Sequence, residues 1–379
     1  MNFVALRMLT GDRAKYLGLV FAIAFSTFLL ENQTSIFAGI MRRTGSQIAD
    51  VVDADVWVMD PATQYFEETK ALKDTDLFRV RGVAGVAYAV RLFKGLPVAR
   101  TPAGRFSQAV VLGLDDATLV GAPRRMKLGS WERLREPDAV VMDEAGYRLL
   151  FPGEPLELGR TLEMNDHLVH VVGISDASAP FATFPIIHAR YTEAVNFLGR
   201  ERSQMAFVLA RPMPGVTAEE LNRRIAAATG LKARTTDEFR WDCIRYYLRH
   251  TGIPVNFGIT IAIALIVGLV VSGQTFYLFT VENLRQFGAL KAIGVTNARL
   301  AGMVLLQALL VGFIGYALGT GMAAVFFEVF GRKIATRGIV LLWQNAVGVG
   351  VLMALVAVAS SLLSLRRVLV LEPAAVFRG

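Results

Sequence analysis

The sequence predicts an α-helical integral membrane protein with four transmembrane helices and a large α+β outer domain inserted between the first and second. Three observations carry this. Hydrophobic residues make up 54% of the 379 residues, more than soluble domains use. They are concentrated: no charged residue occurs between Thr251 and Val281, between Leu300 and Phe327, or between Gly338 and Leu365. Each run exceeds the roughly 20 residues that span a hydrocarbon core. A fourth apolar run, Tyr16 to Ile40, is interrupted only by Glu31, and the long segment that follows it is hydrophilic.

In chain order, residues 1–15 form a short, mostly apolar segment with Arg7 inside it. It either lies cytosolic or interfacial before the first span or extends that span. Residues 16–40 are transmembrane helix 1. Their apolar part to Leu30 has the length of a signal peptide, but no small-residue cleavage site follows and fifteen residues precede it, so an uncleaved anchor is the better reading. Residues 41–250 are the outer α+β domain. "DADVWVMD" alternates like a half-buried strand. "AYAVRLFKGLPVARTPAGRFSQAVVLGLD" reads as two strands around a turn at Thr101, Pro102 and Gly104. "RTLEMNDHLVHVVGI" reads as a hairpin turning at Asn165 and Asp166. "TAEELNRRIAAATG" is a helix with a Thr217–Glu220 capping box and Gly230 as its stop. "DEAGYRLLF" is a second helix.

Residues 251–281 are transmembrane helix 2, 297–328 helix 3 and 338–365 helix 4. A short outer loop, 329–337, joins the last two, and 366–379 form a cytosolic tail. Trp241, Tyr246 and Tyr247 before helix 2, and Trp343 near the start of helix 4, mark the outer membrane boundary, which favours aromatics.

The formal net charge is +8. The cations are scattered singly or in pairs beside the spans, as with Arg13 and Lys15, or Arg366 and Arg367. That pattern suits headgroup anchoring and excludes a nucleic-acid surface. The outer flanks hold Arg42, Arg43, Arg245, Arg249, Arg332, Lys333 and Arg337, and the inner flanks Arg7, Arg13, Lys15, Arg285, Lys291, Arg299, Arg366, Arg367 and Arg378, so the excess of positive charge inside is small. The single cysteine, Cys243, permits no intramolecular disulfide.

Residues 282–296, between helices 2 and 3, hold a short amphipathic helix. Leu284, Phe287, Leu290 and Ile293 recur every three residues on one face, while Glu282 and Arg285 lie on a more polar side. Lys291 falls in the last turn, where a cation opposes the carbonyl end of the helix dipole. Gly294 suits the left-handed residue that stops a helix, and Thr296 or Asn297 can cap the next one. Periodicity alone also fits a helix resting in lipid headgroups.

No catalytic, cofactor or metal site emerges. His167 and His170 are three apart in a strand and point to opposite faces, whereas metal ligands must converge. His188 and His250 have no obvious partners. No GxSxG elbow occurs, and Cys243 reads as a packing residue. "ENQTS" differs. At 1.5 Å per residue from Tyr16, Glu31 lies roughly 22 Å along its helix, where a charge faces protein or a water-filled cavity. Glu31, Asn32 and Ser35 then line a polar dimer interface, or the helix has already left the membrane.

"ENLRQFGALKAIGVTNARL" resembles the segment after the second span of MacB/FtsX-like ABC transporter permeases. The tail "LRRVLVLEPAAVFRG" is similar to that family's closing basic segment. "DAVVMDEAGYRLLF" with "LGRTLEMNDHLVHVVGI" resembles its periplasmic core domain. "ALRMLTGDRAKYLGLVFAIAFSTFLL" and "DADVWVMDP" look most like the DevC-like export branch. The resemblance covers essentially the whole chain. It implies a multi-pass protein of the bacterial inner membrane whose large domain is periplasmic. It also implies a second permease copy, as homodimer or close paralogue, and a separate ABC ATPase subunit that carries the ATP and Mg. Glu282, Leu284, Arg285, Gln286, Phe287, Leu290, Lys291 and Gly294 would couple to that ATPase. A periplasmic adaptor (membrane fusion protein) and an outer-membrane exit duct are further implied partners. The action would be mechanotransmission, driving efflux of lipid, glycolipid or other hydrophobic cargo. Unlike MacB, this sequence has neither a GxxxxGK[ST] phosphate loop nor a Leu-Ser-Gly-Gly-Gln signature, so it is expected to be a non-catalytic subunit that binds no cofactor. Two other classes remain open. A membrane receptor sensing a ligand through its outer domain should carry a cytosolic output domain, and the cytosolic pieces here are short. A membrane-embedded enzyme should carry a catalytic constellation.

Overall fold

The computed structural model describes residues 2–11, 13–198, 205–331, 333 and 337–370, with the side chains of residues 2, 15, 363 and 366–370 excepted. The expected anchoring by Lys15, Arg366 and Arg367, and the tail beyond residue 370, lie outside the described residues. The chain divides into a helical unit, Met1–Gly39 with Gly252–Gly379, and an α+β unit, Ile40–Thr251.

Helix α1 covers Asn2–Gly11 and α2 covers Arg13–Arg43. The α+β unit begins with α3 (Ser46–Asp50), β1 (Val56–Met59), α4 (Asp74–Arg81) and β2 (Val86–Gly95). It ends with β11 (Met205–Pro212), α7 (Ala218–Thr229), β12 (Lys232–Thr235) and α8 (Thr236–His250). These outer pieces form one lobe: β1-α4-β2 and β11-α7-β12 are two strand–helix–strand units whose strands lie in the order β12-β1-β11-β2, all antiparallel. This is the split βαβ arrangement. The expected half-buried strand is instead buried on both faces. Val56 and Val58 pack under Leu77, Val80, Leu221 and Ile225 of α4 and α7. Trp57 points the other way, into Phe66, Phe207 and Phe239, with ring centroids 5.4–6.1 Å from its own. A strand in the middle of a sheet covered on both sides has no solvent face to keep polar.

A second lobe is inserted between β2 and β11. It contains β3 (Val98–Arg100), β4 (Phe106–Gln108), β5 (Val110–Leu114), β6 (Met126–Gly129), β7 (Ala139–Asp143), α5 (Glu144–Leu150), β8 (Thr161–Met164), β9 (His167–Ser175), β10 (Ile186–Arg190) and α6 (Tyr191–Leu198). The sheet continues from β2 through β5-β10-β7-β9-β8-β3-β4, with β6 on β9. The segment expected to give two strands gives four. The Thr101–Gly104 turn closes only the small hairpin β3–β4, with Thr101 N–H donating to Arg105 O at 2.7 Å. Interruptions of the strands at Leu96-Pro97 and at Ala109 let β2 and β5 pair directly. The β8–β9 hairpin turns at Asn165 and Asp166, both left-handed at φ 55° and 67°, the geometry of a type I′ turn. On α7, Thr217 Oγ1 accepts from Glu220 N–H and Gly230 is left-handed at φ 69°. The Glu220 carboxylate, however, binds Arg223 and Arg224 rather than completing a capping box.

The helical unit resumes with α9 (Ile253–Glu282), α10 (Leu284–Ala292), α11 (Asn297–Phe330) and α12 (Trp343–Val370). Among the described residues, four helices are long and apolar enough to cross a membrane: Tyr16–Arg43, Ile253–Glu282, Asn297–Phe330 and Trp343–Leu362. Helix α11 packs closely on α2 through two glycines one turn apart. A Cβ at Gly315 would lie 2.7 Å from Ile23 Cβ, and one at Gly319 would lie 2.5 Å from Ala24 O. Small residues at this spacing let membrane helices approach when no hydrophobic force drives them together. On its other side α11 meets α12, where Tyr316 Oη donates to Ala346 O at 3.0 Å.

The boundary aromatics are divided. Trp241 and Trp343 are 60% and 71% exposed. Tyr247 is buried against Phe181, and Tyr246 stacks on Tyr65 with centroids 4.0 Å apart. These two tyrosines therefore pack within the α+β unit.

His188 on β10 is 2% exposed, with its ring edge-on to Trp131 at 5.3 Å. Burial drives its pKa down to about 3, whereas the unfolded imidazole titrates near 6.5. Between these values the unfolded chain binds the extra proton, so stability is complete above about pH 6.5 and falls as the pH drops. We expect wild type to lose up to about 3 kcal/mol more than His188→Leu between pH 6.5 and 4. Denaturant unfolding followed by tryptophan fluorescence across that range measures it; parallel curves would exclude a neutral His188.

Candidate coupling helix and the polar contact inside the bundle

Helix α9 ends where Asn283 folds its side chain back, Nδ2 donating to Phe279 O at 2.7 Å. The nine residues of α10 follow. Its end is a double closure: Val295 N–H donates to Leu290 O and Gly294 N–H to Lys291 O, both at 3.1 Å. Gly294 is left-handed at φ 92°, and Leu290 and Val295 join one apolar cluster. This is the Schellman motif, hydrophobic contact included. Thr296 takes the cap position of α11, without a side-chain capping bond. The helix is thus stopped sharply at both ends.

The apolar face does not point where a docking face should. Phe287 is fully buried, packed with Ala5, Leu300, Met303 and Val304, and Leu284 and Leu290 are half-buried in the same cluster. Its partners are α1 and the first turns of α11. Helix α1 is itself held by a buried hydrogen bond, Gln307 Nε2 donating to Ala5 O at 2.7 Å. Arg285, Gln286 and Ala289 are exposed, and Ile293 is 79% exposed. Of the expected coupling residues, Phe287, Leu284 and Leu290 therefore face their own chain, while Glu282, Arg285, Gln286 and Gly294 face outward. Lys291 is half-buried. Reading residues 1–15 as an interfacial segment or an extension of the first span gives no sign that Ala5 and Leu9 form a buried face of α1.

The polar residues of α2 also turn inward. Glu31 and Ser35 are fully buried and Asn32 half-buried. Glu31 Oε1 accepts from Thr320 Oγ1 at 2.8 Å, one residue after the close approach at Gly319. Ser35 Oγ accepts from Asn345 Nδ2 at 3.4 Å. Glu31 and Ser35 tie α2 to α11 and α12 within one chain. In an apolar bundle a carboxylate must find its partner inside.

In the α+β unit, Lys94 is buried, with Nζ donating to Phe66 O at 2.8 Å and lying 4.4 Å from that ring's centroid. Burial lowers its pKa to about 8, opposed by the Glu67 carboxylate; burial raises that of Glu67. Both border a cavity of about 350 Å³. Cys243 nearby is pushed by burial to about 12, which leaves the thiol inert. His167 is exposed beside Phe197, and His170 Nε2 lies 3.1 Å from Pro137 O. No group of three metal-ligating side chains occurs among the described residues.

Four apolar helices, a two-lobed domain carried between the first and second, and a glycine-stopped helix between the second and third define a class of membrane transport permease. Residues 16–228 match the MacB-like periplasmic core domain and residues 258–373 the FtsX-like permease C-terminal family, and the chain belongs to this family of ABC transporter permeases. An uncharacterized ABC transporter permease of Mycobacterium tuberculosis is 25% identical over 399 residues, and one of Mycobacterium bovis 24% over 390, each aligned over the whole of both chains. The periplasmic region of MacB from Actinobacillus actinomycetemcomitans covers 54% of this chain and 96% of its own, at 14% identity and a TM-score of 0.38. The extracellular domain of the transporter YknZ from Gram-positive bacteria covers 48% of this chain and 98% of its own, at 12% identity and a TM-score of 0.35.

The α2–α11 crossing makes a paired prediction. Gly319→Ala forces a methyl group against Ala24 O and should cost about 1–3 kcal/mol. Gly321, two residues on, has open space around its missing Cβ, so Gly321→Ala should be neutral. Thermal melting of both variants in detergent separates them; equal melting temperatures would refute the close crossing.

Proposed function

We propose that this chain is the permease subunit of an ABC-type export system in a bacterial inner membrane. A separate ATPase subunit would bind ATP and Mg and supply the energy. Helix α10 is the element on which that ATPase acts. The observation that carries this reading is the division of α10 into a buried and an exposed face. Phe287, Leu284 and Leu290 fasten it to α1 and α11, while Arg285, Gln286 and Ile293 stand outward. A body stopped sharply at both ends and packed on one side moves as a unit with what it is packed against. Displacement of α10 would pass to α11. The Gly315 and Gly319 contacts and the Thr320–Glu31 hydrogen bond would then pass it to α2, which runs on into the α+β unit.

In this reading the outer domain is worked mechanically, and cargo leaves from the periplasmic side through an adaptor and an outer-membrane duct. The cargo class is lipid, glycolipid or another hydrophobic molecule. A second permease copy completes the transporter. The long apolar face of α9, with Ile259, Ile263, Ile266 and Val270 more than half exposed, needs lipid or that copy to cover it.

Two tests follow. The purified chain alone should hydrolyse no ATP above background; turnover in a preparation free of other subunits would contradict the missing phosphate loop. Second, Ile293→Asp should cut the ATPase copurifying with the permease at least several-fold, because a carboxylate buried without a partner costs a few kcal/mol. Arg285→Ala should cost about 1 kcal/mol or less. Ile293 is exposed within its own chain, so the permease should melt unchanged. Undiminished ATPase recovery with Ile293→Asp would remove α10 from the docking site.

A further inference from the structure

The last two turns of α8 and strand β12 enclose a groove of about 230 Å³ in the α+β unit. Lys232, Arg234, Arg245, Arg249 and His250 line it together with one carboxylate, Asp242. Three of the cations share that carboxylate. Arg234 Nε lies 2.9 Å and Lys232 Nζ 3.5 Å from Oδ2, and Arg245 Nη1 lies 3.5 Å from Oδ1. Arg249 is exposed and reaches no carboxylate among the described residues. Four permanent cations thus face one anion. Solvent screens part of that surplus, since the Arg234 and Arg245 side chains are 39% and 57% exposed, but the groove still favours a further anion, and arginine forks match phosphate oxygens in particular.

The position along the chain indicates the source of that anion. His250 closes α8, and α9, the most apolar of the membrane helices, begins at Ile253. Three residues of chain reach at most about 11 Å. The same α8 exposes Trp241 and Leu248, at 60% and 41%. Trp241, Arg245, Leu248 and Arg249 recur at helical spacing along one stripe. An aromatic and a leucine interleaved with arginines beside a span is the composition of a headgroup-level surface. The bias that keeps Arg and Lys on the cytosolic side gives no reason for such a cluster next to an outer domain; a ligand does.

We propose that this groove binds the phosphate of an anionic phospholipid headgroup, with Arg245 and Arg249 gripping it and Asp242 drawing Lys232, Arg234 and Arg245 together around the groove. The site is independent of the ATPase-docking reading and uses no residue of α10.

The full-length protein in neutral detergent is offered phosphatidylglycerol and phosphatidylcholine with the same acyl chains, and retained lipid is counted by native mass spectrometry. Wild type should keep phosphatidylglycerol selectively. Arg245→Gln with Arg249→Gln should weaken the tightest phosphatidylglycerol about thirtyfold, since each basic residue near an anionic surface adds roughly a factor of five. Arg245→Lys with Arg249→Lys keeps the charge but loses the forks, so its selectivity should fall between wild type and the glutamine variant. Inorganic phosphate at the lipid's concentration should displace nothing. Equal retention of the two lipids by wild type would overturn the proposal and leave the groove to an acidic protein segment. Unchanged selectivity in the glutamine variant would overturn it as well, and so would displacement by equimolar phosphate, which marks a site for a free anion.

Discussion

The helical unit depends on one close approach. Gly315 and Gly319 let the backbone of α11 sit against Val20, Ile23, Ala24 and Thr27 of α2, and at the end of that contact the Thr320 hydroxyl meets the Glu31 carboxylate. The two features reinforce each other. Without the glycines the helices could not come near enough for a 2.8 Å hydrogen bond. Without the hydrogen bond a carboxylate would stand among apolar side chains with nothing to replace water. The crossing also fixes the outer side of α11, so that its other side is free to pack on α12 and its first turns on α1 and α10.

What could be read from the sequence follows from how local each signal is. The apolar runs, the Gly294 stop, the Asn165–Asp166 turn and the cap at Thr217 each depend on a few neighbouring residues, and each was visible. The inward turn of the α10 apolar face was not, because it depends on α1, nearly 280 residues earlier in the chain. A three-residue period says that Leu284, Phe287 and Leu290 share a face; it is silent on whether that face meets a partner protein or the same chain. Ile293, grouped with them by spacing, lies at the helix end where the backbone has begun to turn, and it escapes the cluster. Glu31 was legible as a residue in need of a partner, but Thr320, 289 positions on, could not be chosen from several hydroxyls.

The sheet of the α+β unit shows the same limit. Its strands β10 and β5 pair in parallel, and β2 joins β11 across the whole inserted lobe. Such pairings leave no local trace. The four strands that replaced the expected two arose because Gly95-Leu96-Pro97 and Ala109 interrupt the pattern; the first break is a legible Gly/Pro signal, whereas Ala109 carries none. The electrostatics of this unit are conservative: burial keeps His188 neutral and Cys243 protonated. For these two groups that is the behaviour of a packed core.

The insertion of the second lobe between β2 and β11 has an evolutionary consequence. Those two strands are hydrogen-bonded neighbours, so the chain departs for the lobe and returns from it at adjacent positions of one sheet. The split βαβ lobe keeps its four strands, both of its helices and its two links to membrane helices whatever lies in the excursion. A lineage can lengthen, trim or exchange that excursion as a cassette while the strand pairing of the split βαβ lobe and its links to the membrane helices stay the same.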